Sequence, residues 1–82
     1  MPSGDPRLTL LTRPGCDHCG SARDALAALA AELGVPWDER DVTADQADFD
    51  EYGDRVPVVL LDGREHSYWT VDAARLRRDL AR

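Results

Sequence analysis

The stretch RLTLLTRPGCDHC, residues 7–19, decides the fold. Residues 7–12 are β-compatible and nearly uncharged, which predicts a strand. A proline and a glycine then interrupt regular structure, and the two cysteines of the chain follow, Cys16 and Cys19. The sequence therefore predicts a strand, a turn and a helix that begins at the cysteine pair.

The helix after the cysteine pair is amphipathic. Its apolar residues recur at spacings of three and four, which places them on one face. They are Ala22, Leu26, Leu29, Ala30 and Leu33. Gly34 supplies the C-terminal stop, and Pro36 prevents the helix from continuing.

Two strands and a short helix are predicted next. Residues 35–42 form a second strand whose many charges suit the edge of a sheet. Thr43 is placed to cap a short helix over residues 44–52, which Gly53 ends. Residues 56–61 are the most apolar run of the chain and are predicted to form a buried central strand.

The last part of the chain reads as a hairpin followed by a helix. The dipeptide Asp62-Gly63 is a strong signal for a two-residue hairpin turn, after which residues 64–69 return as a more polar strand. Thr70 is placed to cap a final helix that reaches Ala81. The inward-facing residues of this helix are Ala73, Leu76 and Leu80.

The resulting order is β-α-β-α-β-β-α, an α/β fold. A right-handed crossover places the second strand parallel to the first, and the apolar third strand fits beside the first. We therefore predict a mixed four-stranded sheet in order 2-1-3-4 with helices on both faces. The length of 82 residues suits one domain, residues 7–82, after a disordered N-terminal extension, residues 1–6.

Charge and hydropathy narrow the classes of partner. The net charge is −6, and every basic side chain except the histidines is arginine, so nucleic acids and anionic membranes are not expected as partners. No apolar run approaches the roughly 18 residues that cross a bilayer. The first residues lack the basic and apolar regions of a signal peptide. We expect a cytoplasmic, monomeric protein.

The pair Cys16 and Cys19 carries the predicted chemistry. Thiols stay reduced in the cytosol, so two cysteines there point to catalysis or metal binding more than to a structural disulfide. Residues three apart share a helix face, and the positive end of the helix dipole favours a thiolate at Cys16. The spacing predicts a redox-active disulfide: Cys16 attacks a substrate disulfide, Cys19 resolves the mixed disulfide, and an external reductant restores the dithiol.

Other interpretations of the spacing are weaker. Structural zinc needs two further ligands, and the chain offers only His18 and His66, of which His18 is too close to both thiols. Haem attachment requires a histidine directly after the second cysteine, where Gly20 stands. No metal is therefore expected. His18 itself either adds positive charge near Cys16 or is a solvated loop residue.

Two further motifs add to the cysteine pair. Arg55-Val56-Pro57 opens the third strand, and the Asp62-Gly63 turn follows it. Together with the segment around Cys16 and Cys19, they make the chain resemble the glutaredoxin branch of the thioredoxin superfamily over residues 7–81. It is most similar to the short bacterial glutaredoxin-like proteins. The resemblance implies a thioredoxin-like fold and a dithiol oxidoreductase that takes part in electron transport.

The resemblance also implies substrate-binding residues. Pro57 would follow a cis peptide bond and face the dithiol, which leaves the Val56 backbone free to pair with glutathione or a peptide. Arg13 stands where glutaredoxins carry a basic residue, which would contact a glutathione carboxylate or stabilise the thiolate; as an exposed loop arginine it would have no role. Asp72 and its helix would receive the glutamyl end. However, residues 66–72 lack the usual glycine pair.

The aromatic residues Tyr68 and Trp69 lie just before the last helix. They would either wall the site or pack beneath that helix, and we expect the second. The resemblance implies no tightly bound cofactor, glutathione as a co-substrate, and as partners a disulfide-containing protein or glutathione together with a reductase system. The alternatives are a redoxin coupled to thioredoxin reductase that does not use glutathione, and a non-enzymatic binding or iron–sulfur module.

Overall fold

A computed structural model describes residues 7–81, so the predicted N-terminal extension, residues 1–6, lies outside the described part. The elements in chain order are β1 (Leu8–Thr12), α1 (Cys19–Leu33), β2 (Trp37–Asp41), a 3-10 turn (Val42–Ala44), α2 (Gln46–Tyr52), β3 (Val58–Leu61), β4 (Arg64–Tyr68) and α3 (Ala73–Leu80). Within these residues, no helix has both the length and the apolar character needed to pass through a membrane.

The four strands form one mixed sheet. β1 pairs with β2 in parallel and with β3 in antiparallel orientation, and β4 lies antiparallel to β3. The order β2-β1-β3-β4 confirms the predicted order 2-1-3-4. The apolar strands are central because both of their faces are covered, whereas the charged β2 takes an edge.

Alternate residues of the central strands point to opposite faces of the sheet. On β1, Leu8 and Leu10 are fully buried in a cluster that includes residues of α1 and α3. Leu11 is fully buried in a second cluster on the other side, which Tyr52 of α2 borders. Helices therefore cover both faces, as predicted.

The hairpin between β3 and β4 turns at the predicted dipeptide. Asp62 and Gly63 have φ values of 52° and 84°. Two successive positive φ values define a type I′ turn, whose twist matches that of the flanking strands. The Arg7 guanidinium also reaches across to the Asp62 carboxylate at 2.9 Å, which ties the start of β1 to this turn.

Both predicted threonine caps are wrong, because nearby aspartates take the role. Asp45 caps α2, with its Oδ1 accepting from the Asp48 N–H at 3.1 Å. Thr43 instead lies in the 3-10 turn. Asp72, not Thr70, caps α3. A carboxylate in this position is favoured both as an acceptor and by the helix dipole.

All four strands are shorter than predicted, β1 and β4 by one residue and β2 and β3 by more, and one apolar residue is misplaced. β2 begins at Trp37, because the Val35 N–H still bonds to the Ala30 carbonyl oxygen of α1 at 3.0 Å and Pro36 has no N–H to donate. β3 begins at Val58, directly after a proline that has no N–H to donate. Leu33, predicted to face the core, is 39% exposed because it lies in the last turn of α1, at the rim of the cluster.

Candidate active site

The turn between β1 and α1 presents the first cysteine. Gly15 has a φ of 82°, and the Cys16 N–H donates to the Arg13 carbonyl oxygen at 3.3 Å. With Pro14 before the glycine, these features match a type II turn, which needs a positive φ at its third residue. The sequence Arg13-Pro14-Gly15 thus brings Cys16 back toward the start of the helix.

Cys16 lies ahead of α1 and not within it, so the prediction that the helix begins at the first cysteine is wrong. The first main-chain bond of the helix runs from the Ala22 N–H to the His18 carbonyl oxygen, and Cys19 is the first helical residue. Residues 17 and 18 form a further turn that delays the helix.

Cys16 and Cys19 form a disulfide, with their Cα atoms 5.5 Å apart. Cys19 is buried, with 4% of its surface exposed, whereas Cys16 is half-buried. A reagent approaching from solvent therefore meets Cys16 first. The bond also attaches Cys16 to the N-terminal residue of α1, where unpaired amides and the helix dipole favour negative charge.

The segment before β3 has the conformation that the resemblance implies. The Val56–Pro57 peptide bond is cis, and the Pro57 side chain is fully buried. The Pro57 carbonyl oxygen accepts a hydrogen bond from the Trp69 N–H at 2.7 Å. Val56, by contrast, has no main-chain hydrogen bond to any residue between 7 and 81. Its peptide groups therefore lack a main-chain partner within the described residues.

A cleft lies between the start of α1 and the segment around the cis bond. We call it the Trp69 cleft; it is an open space of about 410 Å³ lined by His18, Val56, Trp69 and Thr70. It continues along α1 past Ser21, Ala22 and Ala25. Because His18 lies between the two cysteines in the sequence, the Trp69 cleft adjoins the turn that carries the disulfide.

Arg13 lies in a different cleft from Val56. It is exposed and lines a space with Phe49, Asp50, Gly53 and Asp54, which we call the Arg13 cleft. Its guanidinium makes no ion pair with any side chain of residues 7–81. The structure therefore does not bring Arg13 and Val56 to one pocket, and a role for Arg13 in binding stays a prediction.

Asp72 already has a local function. Its Oδ1 accepts a hydrogen bond from the Arg75 N–H at 3.1 Å, which caps α3. The residue lines neither the Trp69 cleft nor the Arg13 cleft. Binding of a glutamyl group by Asp72 also stays a prediction, and the carboxylate itself would repel a second carboxylate there.

The expectation that Tyr68 and Trp69 pack beneath the last helix is wrong. Their exposed fractions are 48% and 58%, and their rings contact each other edge to face with centroids 5.0 Å apart. Trp69 has a φ of 69°, a conformation uncommon for a bulky side chain, and this turns its indole toward the Trp69 cleft. Nothing in the local sequence signals a positive φ at a tryptophan.

His66, the second histidine, is engaged elsewhere. Its Nε2 lies 2.8 Å from the Asp79 carboxylate, and its carbonyl oxygen accepts from Arg75. Between residues 7 and 81, no three histidine, cysteine or acidic side chains come together as a metal site would require.

Comparison with known proteins extends these observations. Residues 7–81 match the model of a glutaredoxin-like domain family, DUF836. An uncharacterized protein of Mycobacterium tuberculosis is 51% identical over 82 residues, covering 94% of this chain and 84% of the relative. A protein of X. campestris solved by X-ray crystallography is 39% identical with a TM-score of 0.69, over 90% of this chain and 95% of that one.

A more distant structure links the fold to thioredoxins. A mutant thioredoxin from Halobacterium salinarum is 27% identical with a TM-score of 0.58, over 89% of this chain and 68% of that chain. The sheet order, the cysteine pair ahead of a helix and the cis proline ahead of β3 occur together in this chain. With the match over residues 7–81, they show that the chain belongs to the glutaredoxin-like domain family of the thioredoxin superfamily.

Proposed function

We propose that this protein is a dithiol–disulfide oxidoreductase in which Cys16 is the nucleophile and Cys19 the resolving residue. The observation that carries the proposal is the unequal exposure of the two bonded cysteines, with Cys16 half-buried and Cys19 only 4% exposed. The accessible Cys16 sulfur meets the substrate. The buried Cys19 sulfur is shielded from other thiols and disulfides until it attacks the mixed disulfide.

The reaction balances within the two cysteines. The Cys16 thiolate attacks one sulfur of a substrate disulfide, and the other substrate sulfur leaves as a thiolate and takes a proton. The Cys19 thiolate then attacks the Cys16 sulfur, and the second substrate sulfur leaves. Two electrons have passed from the protein to the substrate, and the protein holds the Cys16–Cys19 disulfide. Glutathione or a reductase returns the electrons.

The segment before β3 supplies the binding surface in this proposal. Val56 has unpaired peptide groups, and the cleft that it lines adjoins the cysteine turn. An extended substrate backbone can pair with Val56 while the buried Pro57 fixes the direction of the segment. Arg13, whose guanidinium makes no ion pair within the described residues, can add a contact to a substrate carboxylate.

Single cysteine variants test the assignment of roles. Cys16→Ser should abolish reduction of a small disulfide, because it removes the attacking sulfur. Cys19→Ser should still attack but accumulate a mixed disulfide, visible as the added mass of one substrate half. Each variant is the matched control of the other. The proposal fails if the wild-type dithiol reduces no disulfide, or if Cys16→Ser forms the mixed adduct and Cys19→Ser does not.

The reductant is a separate part of the proposal. We propose that the protein works in the cytosol and is recharged there either by glutathione or, as a redoxin, by thioredoxin reductase. Turnover with glutathione and glutathione reductase is compared with turnover with thioredoxin reductase and NADPH, and the faster system identifies the reductant. Either ranking leaves the roles of Cys16 and Cys19 unaffected.

A further inference from the structure

Trp69 is the largest apolar surface beside the candidate active site. Its ring is 58% exposed although the residue is fixed at its backbone, where the N–H bonds to the Pro57 carbonyl oxygen at 2.7 Å. The ring of Tyr68 holds one side of it, at an interplanar angle of 81°. The indole is therefore a positioned wall of the Trp69 cleft, and large rigid rings of this kind are common anchors in binding sites.

The Trp69 cleft offers little to a negatively charged ligand. Of its lining residues, His18 is the one that can become positive, and the others are uncharged. Arg55 precedes Val56, but its Nη2 pairs with the Glu51 and Glu65 carboxylates at 3.3 and 3.1 Å, so its charge is already offset. A carboxylate placed in this cleft would lose water without gaining a strong partner.

The other arginines near the site do not make it more favourable for a negatively charged ligand. Arg75 lies in the first turn of α3 and donates to the His66 carbonyl oxygen, and the cap of this helix already carries the Asp72 carboxylate. The Arg13 cleft has a cation, but Asp50 and Asp54 share that space. Glutathione carries a carboxylate at each end, and the protein itself has a net charge of −6. The charges favour a neutral or basic substrate.

We infer that Trp69 is a specificity-determining residue that binds a bulky apolar side chain next to the cysteine of an extended polypeptide disulfide. The substrate backbone pairs with the free peptide groups of Val56, and its apolar side chain lies against the indole. The inference rests on the proposed oxidoreductase function and makes polypeptide disulfides, not glutathione disulfide, the preferred substrates.

The test compares four disulfides in single turnovers of the fully reduced protein. Two are disulfide dimers of the blocked peptides acetyl-Ala-Leu-Cys-Ala-amide and acetyl-Ala-Gly-Cys-Ala-amide, which differ in one side chain. The third is oxidised glutathione. The fourth is bis(2-hydroxyethyl) disulfide, which is small and neutral and reports the chemistry of Cys16 alone. The second-order rate constant is measured for each.

The expected result is a preference that depends on Trp69. The wild type should reduce the leucine peptide about tenfold faster than the glycine peptide, as expected for an apolar side chain in an open pocket. Trp69→Ala should remove this preference, and Trp69→Phe should restore part of it. The rate constant of each variant with bis(2-hydroxyethyl) disulfide is used to normalise its rate constants with the two peptides.

Phe49→Ala is the matched control, since Phe49 is also an exposed aromatic residue but lines only the Arg13 cleft and does not contact the Trp69 ring. It should keep the preference for the leucine peptide. The inference is overturned if Trp69→Ala retains the preference, or if the wild type reduces oxidised glutathione as fast as the leucine peptide. Failure to reduce even bis(2-hydroxyethyl) disulfide would instead overturn the proposed function.

Discussion

The two faces of the sheet differ in how many apolar side chains they bury. The face under α1 and α3 buries Leu8, Leu10, Ala22, Leu26, Leu29, Ala30, Val59 and Leu76 in one cluster. The face under α2 buries Leu11, Val42, Val58 and Leu60, with Tyr52 and Val56 half-buried at its margin. α2 itself contributes no fully buried residue. The first face therefore carries most of the stability, and the second supports Val56 at its edge.

The difference teaches where the molecule can move. Local opening occurs where few apolar contacts are buried, and binding segments are often drawn from such regions. The segment before β3 adjoins the face under α2, which buries fewer residues, whereas Cys19 begins α1, which covers the other face. The cysteine that we propose as the resolving residue thus lies in the more rigid part of the molecule, and the segment that we propose binds the substrate lies in the more adaptable part.

Adjacent leucines on β1 give the sharpest test of the two faces. Leu10 and Leu11 are both fully buried but point to opposite sides. We expect Leu10→Ala to lower the free energy of unfolding by about 4 kcal/mol and Leu11→Ala by about 2 kcal/mol, because the short elements over Leu11 can move into the cavity. Urea denaturation measures both. Equal losses would show that the faces are equally rigid.

Hydrogen exchange should separate the same faces without mutation. We expect the free energy of opening for amides of α2 to be lower than for central amides of α1 by about 2 kcal/mol or more. α2 has seven residues and no buried side chain, whereas α1 has fifteen residues and buries five of them. Native-state exchange followed by NMR gives both values. Uniform protection would contradict the comparison.

Variants of Trp69 test whether the backbone at this position is strained. Its φ of 69° suits glycine better than any residue with a Cβ. We expect Trp69→Gly to be more stable than Trp69→Ala by about 1 kcal/mol, since both lose the indole and only the alanine keeps the steric cost. Thermal or urea unfolding of the two variants decides this. A more stable alanine variant would mean that the conformation carries no such cost.

The smallest expected effect concerns the ion pair that joins α1 to the edge strand β2. The Arg23 guanidinium hydrogen-bonds to Glu39 and holds the pKa of that carboxyl below its usual value of 4.5. Because the folded pKa lies below the unfolded one, ionised Glu39 stabilises the protein at neutral pH, and this contribution is lost as the pH falls below 4.5 through the folded value.

The corresponding variant is Glu39→Gln. It should be slightly less stable than the wild type at pH 7, and the two should converge in acid, where Glu39 is protonated in both states of the wild type. Denaturation curves between neutral pH and pH about 3 measure the difference. If the difference in stability between the two proteins stays constant over this range, the effect comes from the hydrogen bond that Thr12 donates to Glu39 at 3.1 Å, and not from charge.

The sequence predicted the sheet well because its signals there are strong and local. The apolar runs of β1 and β3 and the charged β2 allowed one strand order, and Asp62-Gly63 set the hairpin. Helix starts were predicted less well, since Thr43 and Asp45 are both plausible caps and the choice depends on where the chain turns. The start at Cys19 depends on a turn whose extent the sequence does not show.

The candidate site was predicted in part for a similar reason. The cysteine pair and the cis bond before Pro57 follow from motifs, and the structure has both. The separation of Arg13 from Val56 into different clefts depends on how α2 packs, which no local pattern encodes. Trp69 was misplaced because an apolar residue near a helix usually packs beneath it, and here the backbone turns it outward.

The charged edge strand β2 has a consequence for self-association. Asp38, Glu39 and Asp41 lie along it, and an unpaired strand edge is otherwise a template for another chain. Arg40 lies on the same strand, which leaves a net charge of −2 on β2 (three carboxylates and one guanidinium), so two copies that met edge to edge at β2 would repel each other. β2 thus resists fibre-like stacking, while the unpaired peptide groups of Val56 lie at the site where we propose that a substrate strand pairs.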